Sequence, residues 1–209
     1  MTGTIMTKIL TLPGILLALC FHEYAHAWMS NKLGDPTPKR QGRLTVNPTA
    51  HIDVLGFVAL LICGFGWGKP VQIDPYYYKN RRRDEMLVAL AGVTMNLLLA
   101  VIFSFPTKLL YSAYVNATMA GGDGGIWEIG YYIFFYTVMI NLCLMIFNLI
   151  PIPPLDGWNV ISNLVDLRKY KWYPYVYNYG GYILIALILL NVTDLVLTPC
   201  VNFFMNLLF

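Results

Sequence analysis

Between Ile9 and Met29 the chain runs for 21 residues with no Lys or Arg and a single acidic residue. A helix of that length rises about 31 Å, enough to cross a bilayer core of about 30 Å. A segment this apolar cannot lie on the surface of a water-soluble domain. Two further apolar runs are of similar length, Met86 to Phe105 and Ile126 to Ile150. The last, Gly181 to Phe209, is interrupted by Asn191, Asp194 and Pro199. The remaining residues agree with a lipid environment: 57% of the 209 are hydrophobic and 12% are charged. A soluble domain carries about 25% charged residues. That balance excludes a soluble globular enzyme and a nucleic-acid-binding or disordered chain. The expected fold is an α-helical polytopic membrane protein with about four to six transmembrane helices. Residues 1–209 form one domain, with a core over 9–157 and a C-terminal span plus interfacial helix over 175–209. The first run follows a short leader containing Lys8, and no A-x-A-like cleavage site follows it, so it is expected to stay as a span.

The basic residues orient these segments. Of 14 Lys and Arg, twelve lie in residues 32–43, 69–83 and 168–171. The positive-inside rule puts all three regions on the cytoplasmic side. Two of them flank the apolar run Val54 to Phe65, which at 12 residues is too short for an ordinary span. The run is therefore expected to dip in and return, or to lie shallow. Backbone that turns at membrane depth must be sheltered by protein or border a water-filled cavity. Residues 43–47 and 69–74 alternate polar and apolar side chains, the pattern of two short strands that would pair at the cytoplasmic face. An irregular loop fits the same pattern. The four cysteines, Cys20, Cys63, Cys143 and Cys200, form no C-x-x-C pair and read as small buried apolar residues.

Chemistry concentrates in the first run, at His22-Glu23-Tyr24-Ala25-His26. On a helix, residues i and i+4 share a face, so both imidazoles can reach one metal ion. Glu23 stands beside them, placed to accept a proton from water. Ionisable groups within a span are costly and mark function. The site would lie about 6 Å (His26) and 12 Å (His22) inside a helix end at Ser30. A catalytic zinc takes a third protein ligand. The candidates are His51, Asp53, Asp156 and Asp194. Asp156 is favoured because Pro151, Pro153 and Pro154 break the preceding helix at the same end. Asn148 could hydrogen-bond an oxyanion or simply join two helices. His51 could contact substrate, an oxyanion or the metal, or be an ordinary loop histidine.

These residues resemble the site-2 protease family of intramembrane zinc metalloproteases. The resemblance rests on the H-E-x-x-H motif and on N-x-x-P-x-x-P-x-D-G from Asn148 to Gly157. Asn47-Pro48-Thr49-Ala50-His51-Ile52-Asp53 and Gly66-Trp67-Gly68-Lys69-Pro70-Val71 are similar to elements of its compact bacterial and archaeal branch. In Ala91-Gly92-Val93-Thr94-Met95-Asn96, Val93 stands where that branch often has proline. The resemblance implies one Zn2+ held by His22, His26 and Asp156, with Glu23 as acid/base. It favours a catalytic role for Asn148; His51 is also expected among the catalytic residues. It also implies a prokaryotic cell membrane, with the site near the cytoplasmic face and no PDZ or regulatory domain. The partners expected are a transmembrane protein or peptide substrate and the surrounding lipid, not nucleic acid. The competing readings are a non-catalytic metal-binding or regulatory membrane protein, which would have no use for Glu23, and a metal transporter. A transporter would carry charged groups along several spans, and residues 86–105 and 129–150 have none.

Overall fold

The computed structural model describes residues 2–63 and 66–209, excepting the side chains of 2–4, 61 and 63. The expected burial of Cys63 and the end of the short apolar run at 64–65 lie outside what is described. Among the described residues the chain forms nine α-helices: α1 (Thr2–Lys32), α2 (Thr37–Arg40), α3 (Pro48–His51), α4 (Val54–Cys63), α5 (Arg81–Met119), α6 (Gly125–Leu149), α7 (Asp156–Leu164), α8 (Tyr173–Leu189) and α9 (Asp194–Leu208). Helices α1, α5 and α6 are each long and apolar enough to cross a membrane. Helices α8 and α9 make a fourth span only if taken together, and they bend by 74° at the break between them. The protein is a helical membrane protein with three helices of span length among the described residues, or four spans if the bent pair counts as one.

Local chemistry sets the boundaries. The Asn80 side chain caps α5 by accepting the Arg83 N–H, and Asp84 accepts the Asn80 N–H in return. Once started, α5 does not stop at Phe105 but continues through Pro106 for 39 residues, about 58 Å. The hydroxyls of Ser104 and Thr107 bond carbonyls of the preceding turn around the proline. Helix α4, at ten residues or about 15 Å, covers half a bilayer core. The core joins α5, α6 and α9 through Val93, Ala100, Val138, Leu142, Met145, Ile146 and Val201.

The three basic regions meet at one end of this bundle. Arg43 donates to the carbonyls of Ala50, Lys69 and Pro70. Across the way, Arg82 pairs with Asp166 and Arg168 with Glu85. The two expected strands do not form among the described residues. A single antiparallel bridge, Ile52 to Gly68, takes their place. The reason is competition. The Arg43 guanidinium occupies carbonyls that a strand partner would have used, and Pro70 has no N–H to offer. Residues 69–74 therefore run as an extended strap, pinned at each end. Lys69 N–H bonds the His51 carbonyl at 2.8 Å, and Asp74 N–H bonds the Asp35 carboxylate at 2.8 Å.

Asp35 is fully buried just beyond α1 and also accepts from the Ser30 hydroxyl and Thr37 N–H. Burial alone would raise its pKa, but these donors hold it below the ordinary carboxylate value. Beside it, burial pushes the Tyr78 hydroxyl up to about 12. A depressed folded-state pKa adds stability above the unfolded value of about 3.9 and loses it as pH falls further. Asp35→Asn turns one acceptor into a donor among buried donors and should cost about 1–3 kcal/mol at pH 7. In thermal unfolding, the gap to wild type should narrow as pH drops below about 4.

Candidate functional site

The H-E-x-x-H motif lies on α1, which continues to Lys32, so His26 and His22 sit about 9 and 15 Å inside its end. Helix α5 approaches their rings closely. A Cβ on Gly92 would lie 2.5 Å from His26 Nε2 and 2.6 Å from His22 Cε1, so no larger residue fits there. Four residues on, Asn96 Oδ1 meets His22 Nδ1 at 2.6 Å, while the Val88 carbonyl meets His26 Nδ1 at 2.8 Å. These contacts fix the tautomers. Asn96 Nδ2 donates to the Ala18 carbonyl and to Asn141 Oδ1, which turns its oxygen toward His22. Both Nδ1 atoms are thus donors, and both Nε2 atoms present lone pairs.

The two Nε2 atoms face each other at 2.9 Å. Asp156, the first residue of α7, brings Oδ2 to 3.2 Å from each. That oxygen is buried without a hydrogen-bond partner. Three acceptors so close repel one another unless a cation lies among them. Ligands 2.0–2.2 Å from a tetrahedral zinc stand about 3.3 Å apart, so these three atoms fit such an ion.

A cavity of about 600 Å³ opens onto the three atoms. Glu23 and Asn148 line it, together with Val71 and Ile73 of the strap and Arg81, Glu85 and Arg168 at the charged end. Glu23 Oε2 accepts the Val71 N–H at 2.9 Å. Asn148 spends one amide hydrogen on the Leu144 carbonyl of its own helix. His51 is fully buried and does not line the cavity. Its Nε2 bonds the Thr45 carbonyl and its own carbonyl anchors the strap, so it belongs to the layer that holds Val71. The other candidate ligands are elsewhere. Asp53 caps α4 through the Gly56 N–H, and Asp194 begins α9.

Three comparisons bear on this arrangement. The profile of peptidase family M50 matches residues 117–191, which include Asn148 and Asp156. YwhC of Bacillus subtilis is 35% identical over 188 residues, covering 90% of this chain and 84% of that protein. The chain belongs to the site-2 proteases, peptidase family M50. Rip2 of Mycobacterium tuberculosis is 31% identical over 160 residues, 74% of this chain but 56% of its own length. MJ0611 of Methanocaldococcus jannaschii is 28% identical over 188 residues, 89% of this chain and 82% of that protein. All three carry zinc metalloprotease names. No solved structure gives a significant match. The protein is an intramembrane metalloendopeptidase of this family and its cofactor is zinc.

Sequence spacing missed the groups that support the imidazoles: Val88, Gly92, Asn96 and Asn141. Of these, Asn96 and Asn141 had a usable signal, as amides inside otherwise apolar spans. Partners that orient a ligating His govern metal affinity. Asn96→Ala should weaken zinc binding about 10- to 100-fold, read by competition with a chromophoric chelator.

Proposed function

We propose that His22, His26 and Asp156 hold the zinc ion and that Glu23 is the acid/base for cleavage of transmembrane substrates. The convergence of three acceptor atoms beside Glu23, on one cavity wall, carries this reading. Bound zinc supplies a water whose pKa is near 7 and polarises a carbonyl. Glu23 accepts the proton of the attacking water and returns it to the leaving nitrogen. The Val71 N–H on Oε2 orients the carboxylate and leaves Oε1 available for that transfer. Asn148 keeps a second amide hydrogen for the oxyanion that forms on the scissile carbonyl.

A substrate helix must unwind before its carbonyls can react, since helical hydrogen bonds shield them. Beyond the carbonyls that Arg43 takes, the strap offers the extended backbone of residues 71–73 alongside the cavity, with Val71 and Ile73 on the wall, and this stretch receives the unwound segment by strand addition. His51 and Arg43 act by holding that strap in place. The clustered basic regions support a site near the cytoplasmic face. The named relatives come from two bacteria and an archaeon, which supports a prokaryotic cell membrane. The functional unit is one domain, residues 1–209.

Glu23→Gln should abolish cleavage of a single-span substrate in detergent while leaving one zinc per chain by metal analysis. Cleavage by that variant, or by wild type stripped of metal, overturns the mechanism. Asn148→Ala should lower kcat about 100-fold or more with KM little changed.

A further inference from the structure

A smaller cavity of about 250 Å³ lies between α7 and α8, behind the catalytic one. Pro154, Asn159 and Tyr177 line both. Pro153, Trp158 and Gly181 complete the smaller one, and none of its six lining residues is charged. An aromatic ladder runs along this side of the site. Trp158 stacks on Tyr173 with ring centroids 5.5 Å apart, and Tyr173 stacks on Tyr177 at 6.1 Å. Trp158 is buried and held by packing, while Tyr177, 57% exposed, forms the open rim. Drug-sized ligands occupy pockets of about 300–1,000 Å³, and this volume suits a single side chain.

The two glycines of α8 differ in a telling way. A Cβ on Gly180 would lie 2.5 Å from Pro153 Cβ, so packing demands glycine there. A Cβ on Gly181 would meet nothing within 4 Å. Gly181 sits inside a helix at an ordinary backbone conformation, where glycine is among the poorest helix formers. Neither packing nor backbone geometry calls for it. Gly181 lines the smaller cavity, where the lack of a side chain leaves space. A local rule broken without a packing gain is expected at functional positions.

We infer that this pocket is a substrate subsite, which takes one bulky apolar side chain from a residue flanking the scissile bond, with Gly181 setting its depth. The inference rests on the catalytic reading of the larger cavity. The three residues shared with the catalytic cavity point to the substrate as the occupant, and the uncharged proline and aromatic lining selects Leu or Phe over a charged residue.

The test uses full-length protein in nanodiscs and a single-span substrate carrying Ala, Leu or Phe at each of three positions on either side of the cleaved bond. Wild type should prefer Phe or Leu over Ala by about tenfold or more in kcat/KM at one position. Gly181→Leu should bring that ratio close to one there, and Gly181→Ala should give an intermediate value. Because the readout is a ratio, partial loss of folded enzyme does not move it. A ratio unchanged in Gly181→Leu, or no preference at any position in wild type, overturns the subsite. A second measurement needs no turnover. In Glu23→Gln, a substrate with p-benzoylphenylalanine at each position in turn should, at one of them, crosslink to Pro153–Asn159 or Tyr177–Gly181. The added Gly181→Leu change should remove the crosslink. Cleavage without such a crosslink, as a lipid-filled pocket would give, overturns the subsite alone. The crosslink without cleavage by wild type overturns the catalytic reading alone.

Discussion

Two imidazoles and a carboxylate brought together inside a membrane need every polar atom satisfied from within the protein, because lipid supplies no partners. Most of the architecture answers that demand. Helix α5 passes His22 and His26 so closely that only Gly92 fits, and Val88 and Asn96 on the same face take the two Nδ1 protons. Asn96 is oriented in turn by Ala18 of α1 and Asn141 of α6, and Asn141 donates back to Thr137. The three long helices are thus joined by polar bonds at the level of the site, while Val93, Leu142 and Val201 pack the apolar core nearby. The remaining Nε2 lone pairs, aimed at Asp156, are what those bonds leave over.

On the proposed mechanism the charged end of the bundle meets a different need, that of admitting water and an extended peptide without opening the helices. Its backbone is irregular, and it borders the cavity, where such backbone is tolerated. One buried guanidinium, Arg43, replaces the hydrogen bonds a second strand would have made. Ion pairs Arg82 to Asp166 and Arg168 to Glu85 tie the segment after α7 to the start of α5. That holds α7, and with it Asp156, against the motif on α1.

The cluster of His22, Glu23, His26 and Asp156 was legible in the sequence because its signals are local. His22, Glu23 and His26 are set by helical spacing alone, and Asp156 follows three closely spaced prolines after which the preceding helix does not continue. The long spans were legible from length and apolar content. What was hidden depends on neighbours remote in the chain. Alternation over 43–47 and 69–74 suggested paired strands, but it carries no information about where the Arg43 side chain points. His51 looked like part of the chemistry because it is a histidine near the motif elements, yet it bonds Thr45 in the loop layer. Gly92 and Asn96 are separated from His22 by about 70 residues, and only the packing of α5 on α1 relates them.

The strap is held at four consecutive stations within six residues: His51 at Lys69, Arg43 at Pro70, Glu23 at Val71 and Asp35 at Asp74. So short a tether has almost no slack. Glu23 consequently has no orientation of its own; the lie of the strap dictates it. Two members of this family could share an identical motif on the first helix and still differ in rate, if a replacement at position 43 or 35 shifted the tether by a fraction of an ångström.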